Sequence, residues 1–295
     1  MSGNTATAWG LGDPMQGHFS AFSLVDRITE LEAGKRAKGY FEVPAHLAGF
    51  PVSFAAEAGG QLAAWASMVQ LDFNLRPVAG MASDLRFGIP VRPGQRLDLE
   101  TTINSLDSEA VRYSARASIN GESVIELDYS VGPMLPMEGF DSPQAMRERF
   151  ELICGEGAPG GRFTDVPKHD LDIVELVPNE RLCAILRVPK EALFFNDHFP
   201  RRPVFPGTML LDAQITVALK LAAGSRPWAP GTTLAASLVP DMKMRAFVPP
   251  GETVELQIDF ESDSGENRMM FKTTARMRGK RAGVGLLEIE GRVSE

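Results

Sequence analysis

Cysteine is nearly absent from this chain. Two residues in 295, Cys154 and Cys183, stand far apart. They offer no disulfide framework and no paired metal motif, a pattern that suits a reducing cytoplasm. Positive charge is also in short supply. Thirty Lys and Arg face 38 Asp and Glu, a net charge of −8. That argues against a general nucleic-acid binder, which needs an electropositive face. Long hydrophobic runs are missing too. The nearest candidate, residues 50–71, carries Glu57 and Gln61 and is rich in Ala and Gly. Such a stretch is too polar for lipid and reads as a buried core helix, so no membrane partner is expected. The first residues, MSGNTATAWGLGDPMQG, lack a basic start followed by an apolar core. The expectation is therefore no secretory leader and a cytoplasmic location.

What is present is an ordinary globular balance, 44% apolar and 23% charged. The length suits two domains of about 100–200 residues each, and the two halves resemble one another. Glu30-Leu31 and Val43-Pro44 match Glu175-Leu176 and Val188-Pro189 at a constant offset of 145. FAAEAGGQLAAW around Glu57 matches TMLLDAQITVAL around Asp212 at an offset of 155. VRPGQRLDLETTI from Val91 matches VPPGETVELQIDF from Val248 at an offset of 157. Three blocks in one order at nearly constant spacing indicate an internal duplication.

The alternating runs VELQIDF and LDLETTI predict half-buried antiparallel strands. The acid-bearing apolar stretches are too long for strands and predict one central helix in each half. The fold class is therefore α+β, a helix packed on an antiparallel sheet, twice over. Residues 136–166 read as a linker rich in Gly, Pro and charge. A short helix over 142–152 is expected within it, capped by Asp141 or Ser142, with Pro143 in its first turn. The boundaries are then 1–135, 136–166 and 167–295.

The offset grows from 145 to 155 in one place. Twelve residues separate Pro44 from Glu57, whereas 22 separate Pro189 from Asp212. The second half therefore holds ten extra residues, and His198 lies among them. FFNDHFPRRPVFPGTMLLDA in this segment resembles the signature of the hotdog-fold 3-hydroxyacyl-thioester dehydratases of the FabA/FabZ type. The resemblance rests on the His-Phe-Pro turn, on Pro206-Gly207 opening a helix, and on an acid 14 positions after the His. The Gln that often follows the acid by four residues is kept as Gln61 after Glu57. In the second half that position is Thr216.

The resemblance implies a double hotdog, two units side by side within one chain, open to further assembly into homo-oligomers. It also implies sites between units, with the His from one and the acid from the other. One site would pair His198 with Glu57. The other would contain Asp212 without an opposing His loop, since His46 aligns with the start of the longer loop. A meeting of His198 with Asp212 of a second chain stays open as the alternative.

In such a site a neutral His198 would take the proton from the α-carbon. Glu57 would act on the departing hydroxyl, and Gln61, one turn on, would orient it. Gly207 at the helix start would present its N–H to the thioester oxygen, with Pro206 stiffening the turn and Phe199 flanking the His. The activity implied is removal of water from a 3-hydroxyacyl thioester of acyl carrier protein or CoA, as in fatty-acid or polyketide-type synthesis. No metal and no cofactor are implied. Arg201 and Arg202 would suit a pantetheine phosphate or an acidic carrier. Met242, Met244, Met269 and Met270 would pack the sheet or line an acyl tunnel. A hotdog thioesterase and a non-catalytic acyl-binding or scaffold protein remain as alternatives.

Overall fold

The computed structural model describes Phe19, residues 21–159, Phe163 and residues 165–293. In chain order its strands are β1 (Arg27–Glu32), β2 (Arg36–Glu42), β3 (Leu75–Pro77), β4 (Met81–Phe87), β5 (Arg96–Leu106), β6 (Ala110–Ile119) and β7 (Glu122–Pro136). The second set is β8 (Asp170–Val177), β9 (Arg181–Arg187), β10 (Thr232–Met244), β11 (Thr253–Gly265), β12 (Arg268–Met277) and β13 (Lys280–Val293). The helices are α1 (Val52–Gln70), α2 (Pro143–Cys154), α3 (Phe194–Asp197) and α4 (Gly207–Ser225), with a 3-10 turn at Met137–Gly139.

The strands form one antiparallel sheet in the order β1-β2-β5-β6-β7-β4-β10-β13-β12-β11-β9-β8, with β3 attached to β7. That order is a palindrome. Each half runs outward through the same succession of its own strands, and the halves meet where β4 pairs with β10, Leu85 opposite Val239. The internal repeat read from three short sequence blocks therefore reappears as pairing topology.

Helices α1 and α4 are each 19 residues long and pack against one another. Both are apolar around most of their circumference, the pattern of a helix enclosed by protein. Helix α1 lies close against β6. A methyl group on Gly59 would stand 3.0 Å from the Ala115 methyl, so glycine permits this approach. Part of the region read as linker is helical. Helix α2 begins at Pro143, and the Ser142 hydroxyl accepts the Ala145 N–H as its cap. It ends at Cys154, two residues beyond the expected end, and packs on β1. Among the described residues no helix is long and apolar enough to cross a membrane.

Candidate functional site

The ten extra residues of the second half build a loop between β9 and α4. It carries the single turn α3 and places His198 directly after it. The loop holds itself shut around that residue. The Val204 N–H donates to the His198 carbonyl at 3.1 Å, and His198 Nδ1–H donates to the Val204 carbonyl at 2.9 Å. The imidazole is thereby fixed with Nδ1 as its donor and Nε2 as its acceptor. Burial pushes its pKa below the ordinary 6.5, and the nearby Arg76 charge adds to this. The Glu57 carboxylate and the Val204 bond oppose the shift. A neutral ring with a bare Nε2 is the form a general base requires.

Glu57 comes from α1 in the other half, and two residues hold it. Its Oε2 accepts from Thr208 Oγ1 at 2.6 Å, and its Oε1 accepts from Gln61 Nε2 at 3.0 Å. Gln61 also donates to the Phe22 carbonyl at 2.7 Å and accepts the Leu24 N–H at 2.8 Å. Asp197 completes the clamp, its Oδ2 accepting the N–H groups of Ala21 and Phe22, both at 2.8 Å. The segment before β1 is thus tied to both the acid-bearing helix and the His loop.

Glu57, Gln61, His198, Phe199, Gly207 and Thr208 line one cavity of about 200 Å³. A second cavity of about 270 Å³ shares His198, Phe199 and Gly207 with it and extends past Phe205 to Arg245 and Phe247. Pro206 caps α4 without a side-chain bond to the helix end. A methyl group on Gly207 would meet only ordinary contacts, Met244 at 3.6 Å and Ala79 at 3.7 Å. The protein's own packing does not demand glycine there, so the space above it is left for something else. Phe199 is buried and packs edge-on against Phe140, ring centroids 5.1 Å apart.

Asp212 does not line either cavity. Its Oδ2 meets His169 Nε2 at 2.8 Å, and its Oδ1 accepts from Ser53 Oγ at 3.4 Å. Thr216 bonds back to the Asp212 carbonyl and not to its side chain. His46 is exposed in the turn before α1. Arg201 and Arg202 are exposed on the His loop. The Arg202 guanidinium lies 4.8 Å from the Phe247 ring centroid, at the second cavity. Of the four methionines expected in a tunnel or in packing, Met242 and Met244 line the first cavity and Met269 is in the core.

Several lining residues were not foreseen. Thr208 was detectable in principle, because the offset of 155 aligns it with Ser53, a second hydroxyl in the first turn of an apolar helix. Tyr113 and Ser130 reach the cavity from β6 and β7, and Ser130 Oγ donates to the Met81 carbonyl at 2.8 Å. Burial pushes the Tyr113 phenol up. Met146 and Arg149 come from α2, in the region read as linker. Arg76 comes from β3, a three-residue strand without any pattern to mark it.

A family model described as ApeI-like, ApeI dehydratase, matches residues 175–283. Over 129 residues the chain is 36% identical to the 3-hydroxyacyl-[acyl-carrier-protein] dehydratase FabZ of Bacillus subtilis, covering 39% of this chain and 91% of that one. The chain belongs to the FabA/FabZ-like hotdog family. The FabZ of Rickettsia bellii is 28% identical over 37% of this chain and 75% of its own length. Among solved structures, one described as an oleoyl thioesterase from Lactobacillus plantarum superposes on 90% of this chain and all of its own. Its TM-score is 0.58 at 8% identity. A tesB protein of Mycobacterium avium subspecies paratuberculosis gives 0.55 at 13% identity, covering 90% of this chain and 95% of its own. Identities this low bear on the hotdog fold alone. They cover both halves, whereas the family model lies within the second.

Proposed function

We propose that this FabZ-like hotdog protein dehydrates a 3-hydroxyacyl thioester to the trans-2-enoyl thioester, at a single site assembled from both halves. The observation that carries the reading is a pair of groups. His198 presents a bare Nε2 to the cavity in which Glu57 is held by Thr208 and Gln61. His198 Nε2 takes the proton from C2. The electron pair left behind forms the C2–C3 double bond as the C3–oxygen bond breaks, and the Glu57 carboxyl gives its proton to the departing oxygen, which leaves as water. The proton then held by the imidazole returns to Glu57 to close the cycle. Negative charge gathering on the thioester oxygen is met at the uncapped start of α4, where Gly207 leaves room for close approach.

In this reading the acyl group occupies the first cavity and the thioester sits at the shared wall of His198, Phe199 and Gly207. The pantetheine arm follows the second cavity toward Arg245 and Phe247, with Arg201 and Arg202 near its rim. The carrier is acyl carrier protein or CoA. The chain is two hotdog units, 1–135 and 167–295, joined by 136–166. The first unit lacks the His loop, and α2 of the connection helps close the cavity.

The test is to supply 3-hydroxyacyl and enoyl thioesters and follow their interconversion. Interconversion that requires His198 supports the dehydratase. Release of free thiol that persists in His198→Ala would instead favour a thioesterase, a reading suggested by the descriptions of the solved neighbours. Tight acyl binding with neither reaction would favour a scaffold.

A further inference from the structure

Arg76 lines the cavity as a cation to which the dehydration scheme gives no task. Its guanidinium carbon lies 4.2 Å from the centroid of the Phe199 ring, and the same ring stacks on the His198 imidazole at 4.1 Å. The cation is therefore one ring away from the proposed base. Its face is covered by the phenyl group, but its N–H edge is nearly without acceptors. Among the described residues the contact made by that edge is to the Met146 sulfur at 3.7 Å, a weak acceptor. Nε is buried with no hydrogen-bond partner. Burial lowers the pKa of Arg76 to about 10, with Arg149 adding to the shift and Asp141, Glu57 and Asp197 opposing it. The side chain stays a cation at neutral pH.

The surrounding carboxylates are already engaged. Asp141 forms a buried ion pair with Arg149 at 2.8 Å. Asp197 accepts two backbone N–H groups. Glu57 is held by Thr208 and Gln61. Arg76 is half-buried with its Nε sealed from solvent, and among the described residues it has no ion-pair partner. A planar carboxylate is the group that best satisfies such a guanidinium, through a bidentate pair. The cavity wall also carries the Tyr113 and Ser130 hydroxyls, so it is not a plain hydrocarbon tunnel.

We infer that Arg76 is an anion subsite for the acyl group: the substrate is a 3-hydroxyacyl thioester whose chain ends in a carboxylate. This rests on the dehydratase reading for the position of the reacting carbons. The short separation between Arg76 and His198 favours a short dicarboxylic chain. A pantetheine phosphate does not compete for this place, since it lies at the far end of a long arm from the thioester. An uncharged acyl chain would leave the guanidinium unpaired in the complex.

The test uses the full chain and two stable thioether analogues of an acyl pantetheine, equal in length, one ending in a carboxylate and one in a methyl group. Affinity is measured by calorimetry for the wild type, Arg76→Lys and Arg76→Met, with thermal unfolding as the check on folding. The wild type is expected to prefer the carboxylate analogue by at least about tenfold. Arg76→Lys should keep part of that preference and Arg76→Met should lose it. Equal affinity in the wild type, or preference for the methyl-ended chain, overturns the subsite whether or not the variants fold. A preference that survives unchanged in folded Arg76→Met also overturns it. Dehydration assays on the matching 3-hydroxyacyl thioesters separate this from the reaction itself. Turnover of the methyl-ended chain without any carboxylate preference leaves the dehydratase standing and removes the subsite. Carboxylate-selective binding without dehydration of either chain does the reverse.

Discussion

The acids of α1 and α4 are held by the same device with different consequences. A hydroxyl in the first turn of each helix reaches the acid of the other: Thr208 bonds to Glu57 at 2.6 Å, and Ser53 bonds to Asp212 at 3.4 Å. Both pairs are related by the offset of 155. Beyond that point the centres diverge. At Glu57 the neighbouring space is open, and His198 is delivered by a ten-residue loop insertion. At Asp212 the loop is absent, and His169, from the segment leading into β8, closes directly on the carboxylate at 2.8 Å. An acid engaged by its own His cannot be approached by substrate in the same way. Of the two centres, the one beside the inserted loop lines the described cavity, while the acid of the other is engaged by His169.

The comparison breaks most sharply at the two histidines. His198→Ala should lower dehydration by about 10²–10⁴-fold, the range for removal of a general base. His169→Ala should leave turnover unchanged. Parallel rate measurements on the two variants check both halves of that statement.

The pH profile sharpens it further. His198 must be neutral to accept a proton, and burial places its pKa below 6.5. The acid limb of kcat/KM should therefore have its midpoint below 6.5, as the imidazole takes up its proton. A midpoint above 6.5 would show the ring to be more basic than its buried setting allows.

The hydroxyls should differ by less. Thr208→Val removes a bond to an acid inside the cavity, and such bonds contribute about 1.5–3 kcal/mol. A fall of at least about tenfold in kcat is expected. Ser53→Ala, which removes the longer bond at the closed centre, should leave kcat where it is. The smallest effect is on stability alone. His169→Ala breaks a mostly buried contact to Asp212 and should cost about 1 kcal/mol, read as a lowered midpoint in urea.

Much of this was legible in the sequence because it rests on spacing. The repeat blocks located both helices, and the jump in offset located the loop that carries His198. The strand alternation in β5 and β11 foretold an antiparallel sheet. The family resemblance implied a pairing of His198 with Glu57 across the halves, and both residues line one cavity. What stayed hidden rests on long-range packing. His169 reaches Asp212 across 43 positions, and nothing local marks it as a partner. Arg76 sits in a three-residue strand whose neighbours in sequence say nothing about Phe199. Asp197 beside His198 looks like a loop residue until its two backbone partners, about 175 positions away, are seen. Helix α2 was expected as a short element within a linker, but Met146 and Arg149 reach the cavity through long-range packing, Met146 touching Arg76 from 70 positions away.

The central claim is that one site per chain works and that it uses the acid of the first half. Glu57→Gln and Asp212→Asn test it directly, each a change of one oxygen for an amide, measured by interconversion of a 3-hydroxyacyl and an enoyl thioester. The account predicts that Glu57→Gln loses about 10²-fold or more and that Asp212→Asn turns over like the wild type. Activity retained in Glu57→Gln and lost in Asp212→Asn would contradict it, and would place the working acid opposite a His from a second chain.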